Sequence, residues 1–197
     1  MGGVTGTEAA RTLLAYNGLK EVKIEETKGQ LTDHYDPRHK VLRLSAGVAR
    51  NPSVAAVGIV AHEVGHAVQD SLGYAPMRVR SALVPAANLG SRFGFICVIL
   101  GLILYMFGAG FGLNIMWIGI FLFAAAVLFA LVTLPVEYNA STRARLMLKS
   151  TGLVSAREYD GASAVLSAAA LTYVAALLQA VAQLFYFVLL ALGMGRR

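Results

Sequence analysis

Between Phe93 and Val136 the chain carries no Asp, Glu, Lys, Arg or His, and between Gly161 and Gly195 it again carries none. No other feature restricts the fold as strongly. In hydrocarbon a backbone must satisfy its own hydrogen bonds, and a continuous apolar run does so as helix. One crossing of a core about 30 Å thick takes roughly 20 apolar residues. The first run therefore holds two crossings and a turn, and the second holds one crossing plus a further helical portion. The spans are expected at about 95–107, 115–134 and 173–192, with the glycine-rich turn at 108–114 joining the first two.

Composition agrees with this reading. Hydrophobic residues make up 57% of the 197 and charged residues 14%, against about 25% charged in a soluble domain; mean hydropathy is +0.63. The net charge of +6 raises the question of nucleic acid, but the cations form no stripe interleaved with aromatics. Membrane proteins gather Lys and Arg at the lipid surface. Nucleic acid is excluded as a partner and a lipid bilayer is expected. Cys97 is the one cysteine, which rules out an internal disulfide and a cysteine-based zinc site; within an apolar run it reads as a small hydrophobe. The stretch from Met1 to Gly6 does not form a cleavable signal.

The expected fold class is mainly α: an integral-membrane helical protein with a small N-terminal α+β strand unit. Thr7 is placed as the cap of a helix that runs to Tyr16 and stops at Asn17-Gly18. Alternation over 21–25 and 40–45 predicts strands, with a short strand between them at 30–34. Ser53 caps a longer helix that Leu72-Gly73 ends. A helix after Pro85 leads into the first crossing. Beyond Pro135 a polar helix runs to Gly152, and another starts near Ser155. One membrane unit spans 1–197, in portions 1–92, 93–136, 137–160 and 161–197.

His62-Glu63-Val64-Gly65-His66 lies in the helix opened by Ser53. Four residues is just over one helical turn, so His62 and His66 project from one face and both imidazoles can reach one metal ion. Glu63 is placed to reach a water on that ion. This is the zincin-like H-E-x-x-H arrangement of a zinc peptidase. The alternative is an ordinary polar patch on a surface helix. The apolar flanks Val60, Ala61, Val64, Ala67 and Val68 count against it, because they would bury three ionisable groups without a partner. Gly65, which costs helix stability, is likewise not what a plain helix asks for. The stretch before His62 is too short for this helix to cross a bilayer itself.

A catalytic zinc takes three protein ligands and a water. His34, His39, Glu137, Glu158 and Asp160 compete for the third place. The spacing H-E-x-x-H-x-x-G-x-x-H is absent, since no His follows His66 closely. Glu137 is the strongest candidate: with Ala140 and Ala144 it forms a small-residue helix face that can pack closely on the motif helix. Its alternative is an interfacial carboxylate paired with Arg143 or Arg145. Asn139 and Ser141 could hold a ligand histidine from behind.

The motif, together with Leu31-Thr-Asp-His-Tyr-Asp-Pro37, the stretch from Leu131 through Glu137 to Ser141, and Leu171-Thr-Tyr-Val-Ala-Ala176, resembles the YugP-type bacterial membrane zinc metallopeptidases. The resemblance covers nearly the whole chain. It implies a neutral zinc peptidase embedded in the bacterial plasma membrane. More distantly the chain is similar to the HtpX-like gluzincins, whose third ligand is a Glu on a following helix; that role falls on Glu137. Those proteins usually carry Asp four residues after this Glu, where Ser141 stands here. YugP-type proteins usually begin with a further membrane helix, and this sequence starts beyond that point.

The expected chemistry is hydrolysis of a polypeptide substrate. One Zn2+ activates a water, and Glu63 takes its proton and returns it to the leaving amine. His34, Tyr35, His39, Tyr138, Arg143 and Tyr173 are all open as oxyanion stabilisers. The strand at 40–45 is weighed equally as a sheet edge that pairs with substrate and as an ordinary sheet strand. Arg78, Arg80, Arg92, Arg143, Arg145 and Lys149 flank the motif side, which favours a cytoplasmic catalytic side at the membrane surface; Arg196 and Arg197 would lie opposite. A site-2-type intramembrane protease would need a ligand Asp in a later span, and neither uncharged run has one. A non-enzymatic membrane protein with a structural zinc is the other alternative. A homo- or hetero-oligomer is compatible with the sequence.

Overall fold

The structure is a computed structural model and describes residues 3–195; Arg196 and Arg197 lie outside the described residues. The elements run α1 (Gly6–Tyr16), β1 (Lys23–Thr27), β2 (His34–Asp36), β3 (Val41–Ser45), α2 (Ala46–Ala49), α3 (Val54–Ser71), α4 (Ala75–Met106), α5 (Gly112–Thr151) and α6 (Ala156–Met194). The protein is mainly helical with a small N-terminal sheet. The chain divides into two compact units: Met1–Met77 with Val136–Leu171, and Arg78–Pro135 with Thr172–Arg197. The sequence boundary at 92 falls inside α4.

In the first unit, α1 is capped by Thr5 and not by Thr7. The Thr5 hydroxyl accepts from the Glu8 backbone N–H, and the Glu8 carboxylate accepts from the Thr5 N–H at 2.8 Å, a reciprocal pair that satisfies two orphan donors. Thr7 instead donates to the Ala49 carbonyl at 3.0 Å, tying α1 to α2. The middle strand forms at His34–Asp36, later than 30–34, because the chain first turns through Gly29 (φ 101) and Leu31 (φ 55), a left-handed conformation that no strand accommodates.

The sheet order is β1-β3-β2, with β1 parallel and β2 antiparallel to β3. Of the two readings of the strand at 40–45, the edge is overturned and the ordinary sheet strand holds; β3 is central. Its sequence gives the reason: Val41, Leu42 and Leu44 are all buried, the near-continuous apolar run of a strand covered on both faces. Around it a single core joins Leu13 and Leu14 of α1, Leu42 and Leu44 of β3, Val60 and Val64 of α3, Leu148 of α5 and Leu166 of α6.

α3 is capped as its sequence predicts: Ser53 accepts from the Ala56 N–H at 3.1 Å, and Gly73 (φ 61) ends it. It meets α5 at very short range. A Cβ added at Gly65 would stand 2.6 Å from the Ala140 carbonyl oxygen, so Gly65 has a packing reason as well.

The second unit is built from α4, α5 and α6. Among the described residues, three helices are long and apolar enough to cross a membrane: Ala75–Met106, Gly112–Thr151 and Ala156–Met194. α4 starts at Ala75 and runs through Pro85, where the helix is expected only after that proline, and α5 runs through Pro135, so the two helices expected on either side of 135 are one. Membrane helices tolerate this because neighbouring groups re-satisfy the freed carbonyls. Paired glycines bring α4 and α5 together: a Cβ at Gly101 would meet the Gly112 carbonyl oxygen at 2.6 Å, and one at Gly119 would meet that of Gly94 at 2.7 Å. Val98, Met116, Ile120, Phe187 and Ala191 form the core, while Phe107, Phe121, Leu178 and Phe185 are exposed, as suits lipid contact.

Gly65 gives the first testable prediction. Overpacking costs about 1–3 kcal/mol, and Ala returns about 1 kcal/mol of helix propensity. The obstacle is backbone and cannot swing away, so overpacking wins. Gly65→Ala is expected to lower the thermal midpoint of the detergent-solubilised protein by circular dichroism; an unchanged or raised midpoint contradicts the close approach.

Candidate metal centre

The motif helix α3 buries Val60, Ala61, Val64 and Ala67 completely or nearly so, and this turns the opposite stripe, His62 and His66, toward α5. The two imidazoles stack edge to face with centroids 4.8 Å apart. Glu137 reaches them from α5, two residues beyond Pro135, and is 1% exposed. Its Oε2 lies 3.0 Å from Nε2 of His62 and 3.6 Å from Nε2 of His66. One ligand atom from each of these three residues falls within 4.8 Å of the others.

The donor set fits a zinc ion. Zinc takes imidazole nitrogen and carboxylate oxygen, and bonds of about 2.1 Å in tetrahedral geometry set neighbouring ligand atoms roughly 3.4 Å apart. The two observed nitrogen–oxygen separations bracket that value. Each imidazole also presents the correct nitrogen. Nδ1 of His62 faces the Ser141 hydroxyl at 3.2 Å, and Nδ1 of His66 faces Oε1 of Gln69 at 2.9 Å.

Gln69 fixes the tautomer of His66. Its amide nitrogen donates to the Val136 carbonyl at 2.8 Å and to Asn139 Oδ1 at 3.0 Å. A backbone carbonyl can only accept, so the other end of the Gln69 amide must be oxygen and must receive a proton from Nδ1. Nε2 of His66, the nitrogen that would bind a metal, faces Glu137. Asn139 is set in turn by Arg143, whose Nε donates to Asn139 Oδ1 at 2.8 Å. The sequence reading passed over Gln69, although it stands three residues after His66 and hence on the same helix face.

Glu63 lies near enough to both imidazoles and to Glu137 to feel their charges, and accepts a hydrogen bond at Oε2 from the Tyr35 backbone N–H at 3.0 Å. Burial pushes its carboxyl above the ordinary carboxylate range, against the pull of both imidazoles, and the Glu137 charge adds to the rise. Burial presses His66 down, but its bond to Glu137 and the charges of Glu63 and Glu137 outweigh that and leave it raised. The Tyr35 hydroxyl donates to Asp70 Oδ2 at 2.8 Å.

Of the other candidates, Ser141 is buried behind His62, and Asn139 stands behind Gln69, one step from a histidine. His34 is exposed on β2 with its ring on the Thr32 carbonyl, and His39 is exposed and bound to Asp36. Glu158 takes up the Ser155 N–H and hydroxyl at the start of α6, and Asp160 is exposed. Tyr138 is exposed on α5, and Tyr173 belongs to the second unit. Arg143 and Arg145 bond Asn139 and two serines of α6, Ser163 and Ser167.

The profile of a family described as "Putative neutral zinc metallopeptidase" matches residues 1–192. The chain belongs to this family. It is also similar to the "Putative membrane protease YugP" of Bacillus subtilis (strain 168), with 44% identity over 191 residues that cover 97% of this chain and 82% of that protein. No solved structure matches the chain.

The Gln69 network yields a second prediction. Gln69→Leu keeps the volume but leaves the Val136 carbonyl and His66 Nδ1 without their partner in a dry site. The expected cost is about 2 kcal/mol, read from denaturant unfolding in micelles; a variant as stable as the wild type would show that the amide holds nothing in place.

Proposed function

We propose that this protein is a membrane-embedded zinc endopeptidase, gluzincin-like in its ligands, that hydrolyses peptide bonds of membrane or membrane-proximal polypeptides. The observation that carries the reading is the convergence of His62, His66 and the buried Glu137 on one point, with Glu63 beside them. Membership of a zinc metallopeptidase family and three apolar helices support it.

His62 and His66 through Nε2, and Glu137 through a carboxylate oxygen, would hold one Zn2+. Bound there, zinc supplies Lewis acidity toward a water and a scissile carbonyl. Glu63 takes the proton of the attacking water and returns it to the leaving amine. Ser141 and Gln69 keep the two imidazoles in their ligand tautomers. Among the described residues the donor group has three members, which favours an open catalytic site over a closed structural one of four. The uncharged runs offer no Asp to a site-2-type arrangement.

Glu63→Gln is expected to abolish cleavage of an unfolded protein substrate while metal analysis still finds one zinc per chain. His62→Ala and Glu137→Ala are expected to lose both. Cleavage retained by Glu63→Gln, or zinc retained in full by Glu137→Ala, would sink the assignment.

The catalytic side is proposed to be cytoplasmic. Arg78, Arg80, Arg92, Arg143, Arg145 and Lys149 flank the uncharged runs, and the turn at 108–114 carries no charge. A cysteine placed at Gly110 in a Cys97→Ser background is then expected to react with an impermeant maleimide added outside intact cells; labelling only after lysis reverses the topology.

A further inference from the structure

We infer that Tyr35, anchored by Asp70, is a positioning residue for the Glu63 carboxylate. The inference rests on the peptidase reading above and deepens it.

β2 is three residues long and forms the edge of the sheet. Such a strand is weakly held by its own ladder. Tyr35 pairs with Leu42 of β3, yet its N–H is directed to Glu63 Oε2 at 3.0 Å. Its hydroxyl reaches Asp70 Oδ2 at 2.8 Å. Glu63 and Asp70 are seven residues apart on α3, which is two turns along one helix face, about 10 Å. Tyr35 therefore brackets the motif helix at two points, one with its backbone and one with the tip of its side chain. The ring between them is buried in the core of the first unit. Burial and the bond to Asp70 both raise the phenol, which stays a donor at physiological pH.

The bracket matters because a proton-transferring carboxylate works only when it is aimed. The Tyr35 N–H engages Oε2 and so sets the rotation of the carboxylate, directing its other oxygen to the proton. Without the anchor at Asp70 the short edge strand can slide, and the N–H that aims Glu63 slides with it. Neither Tyr35 nor Asp70 belongs to the three-residue donor group, so their substitution is expected to leave zinc content unchanged.

The test uses the full chain in micelles, with Tyr35→Phe, Asp70→Ala, their double variant and Asp70→Asn. Tyr35→Phe and Asp70→Ala are each expected to lower kcat roughly ten- to hundredfold with KM and zinc content unchanged. The double variant is expected to fall no further than the singles, because both remove one bond. Asp70→Asn, whose amide oxygen still accepts from the phenol, is expected to recover most of the rate. Hydrogen exchange of the peptide containing Tyr35 is expected to quicken in Tyr35→Phe and in Asp70→Ala, with or without metal. An unchanged kcat in Tyr35→Phe, or losses of zinc and thermal stability in step with activity, would overturn the inference while the peptidase reading stands. Should the wild type fail to cleave, or Glu63→Gln cleave normally, the peptidase reading falls and takes the positioning role with it; the exchange result would then report only a structural contact.

Discussion

The structure turns on a buried negative charge. Glu137 is almost wholly removed from water, and an uncompensated carboxylate in such a place costs several kcal/mol. Two imidazoles from one face of α3 stand against it, and everything nearby serves to bring them there. Gly65 removes the one Cβ that would keep α3 and α5 apart, and Ala140 presents its carbonyl at that spot. Val60, Ala61, Val64 and Ala67 bury the other side of α3 and so fix its rotation. A site made this way has no slack: the helix that supplies the charge and the helix that supplies its partners touch backbone to backbone.

The polar groups behind the imidazoles form a directed chain. Arg143 can only donate, so Asn139 turns its oxygen toward it. The Val136 carbonyl can only accept, so Gln69 turns its nitrogen toward it and its oxygen toward His66. Two groups with no choice of role thereby decide the proton position on a third. Burial makes that decision firm, since a reversed amide would set like groups against each other with no water to intervene.

Local pattern carried much of this in the sequence. The spacing of His62 and His66, the Ser53 cap and the uncharged runs depend on neighbours within a few residues, and each is visible along the chain. Glu137 was legible for a different reason: the small residues that follow it at helical intervals mark a face made for close packing. What could not be read depends on contacts between distant segments. Nothing around Tyr35 announces that its N–H faces Glu63, and the apolar run at 41–44 marks a covered strand without saying which segments pair with it. Gln69 was within reach at three residues from His66, but a glutamine on a helix is ordinary until the Val136 carbonyl is seen beside it. The prolines misled in the opposite sense, since 85 and 135 read as boundaries in water and sit inside continuous helices here.

One consequence follows from where α5 places its carboxylate. His62 and Glu137 are 75 residues apart, and the chain between them includes most of two apolar helices. As the protein emerges from the ribosome, the two histidines exist long before their acidic partner does. A nascent chain that stalls within the first uncharged run carries only a two-nitrogen half-site. The order of synthesis thus makes assembly of the three-residue donor group contingent on the chain reaching Glu137, midway along α5.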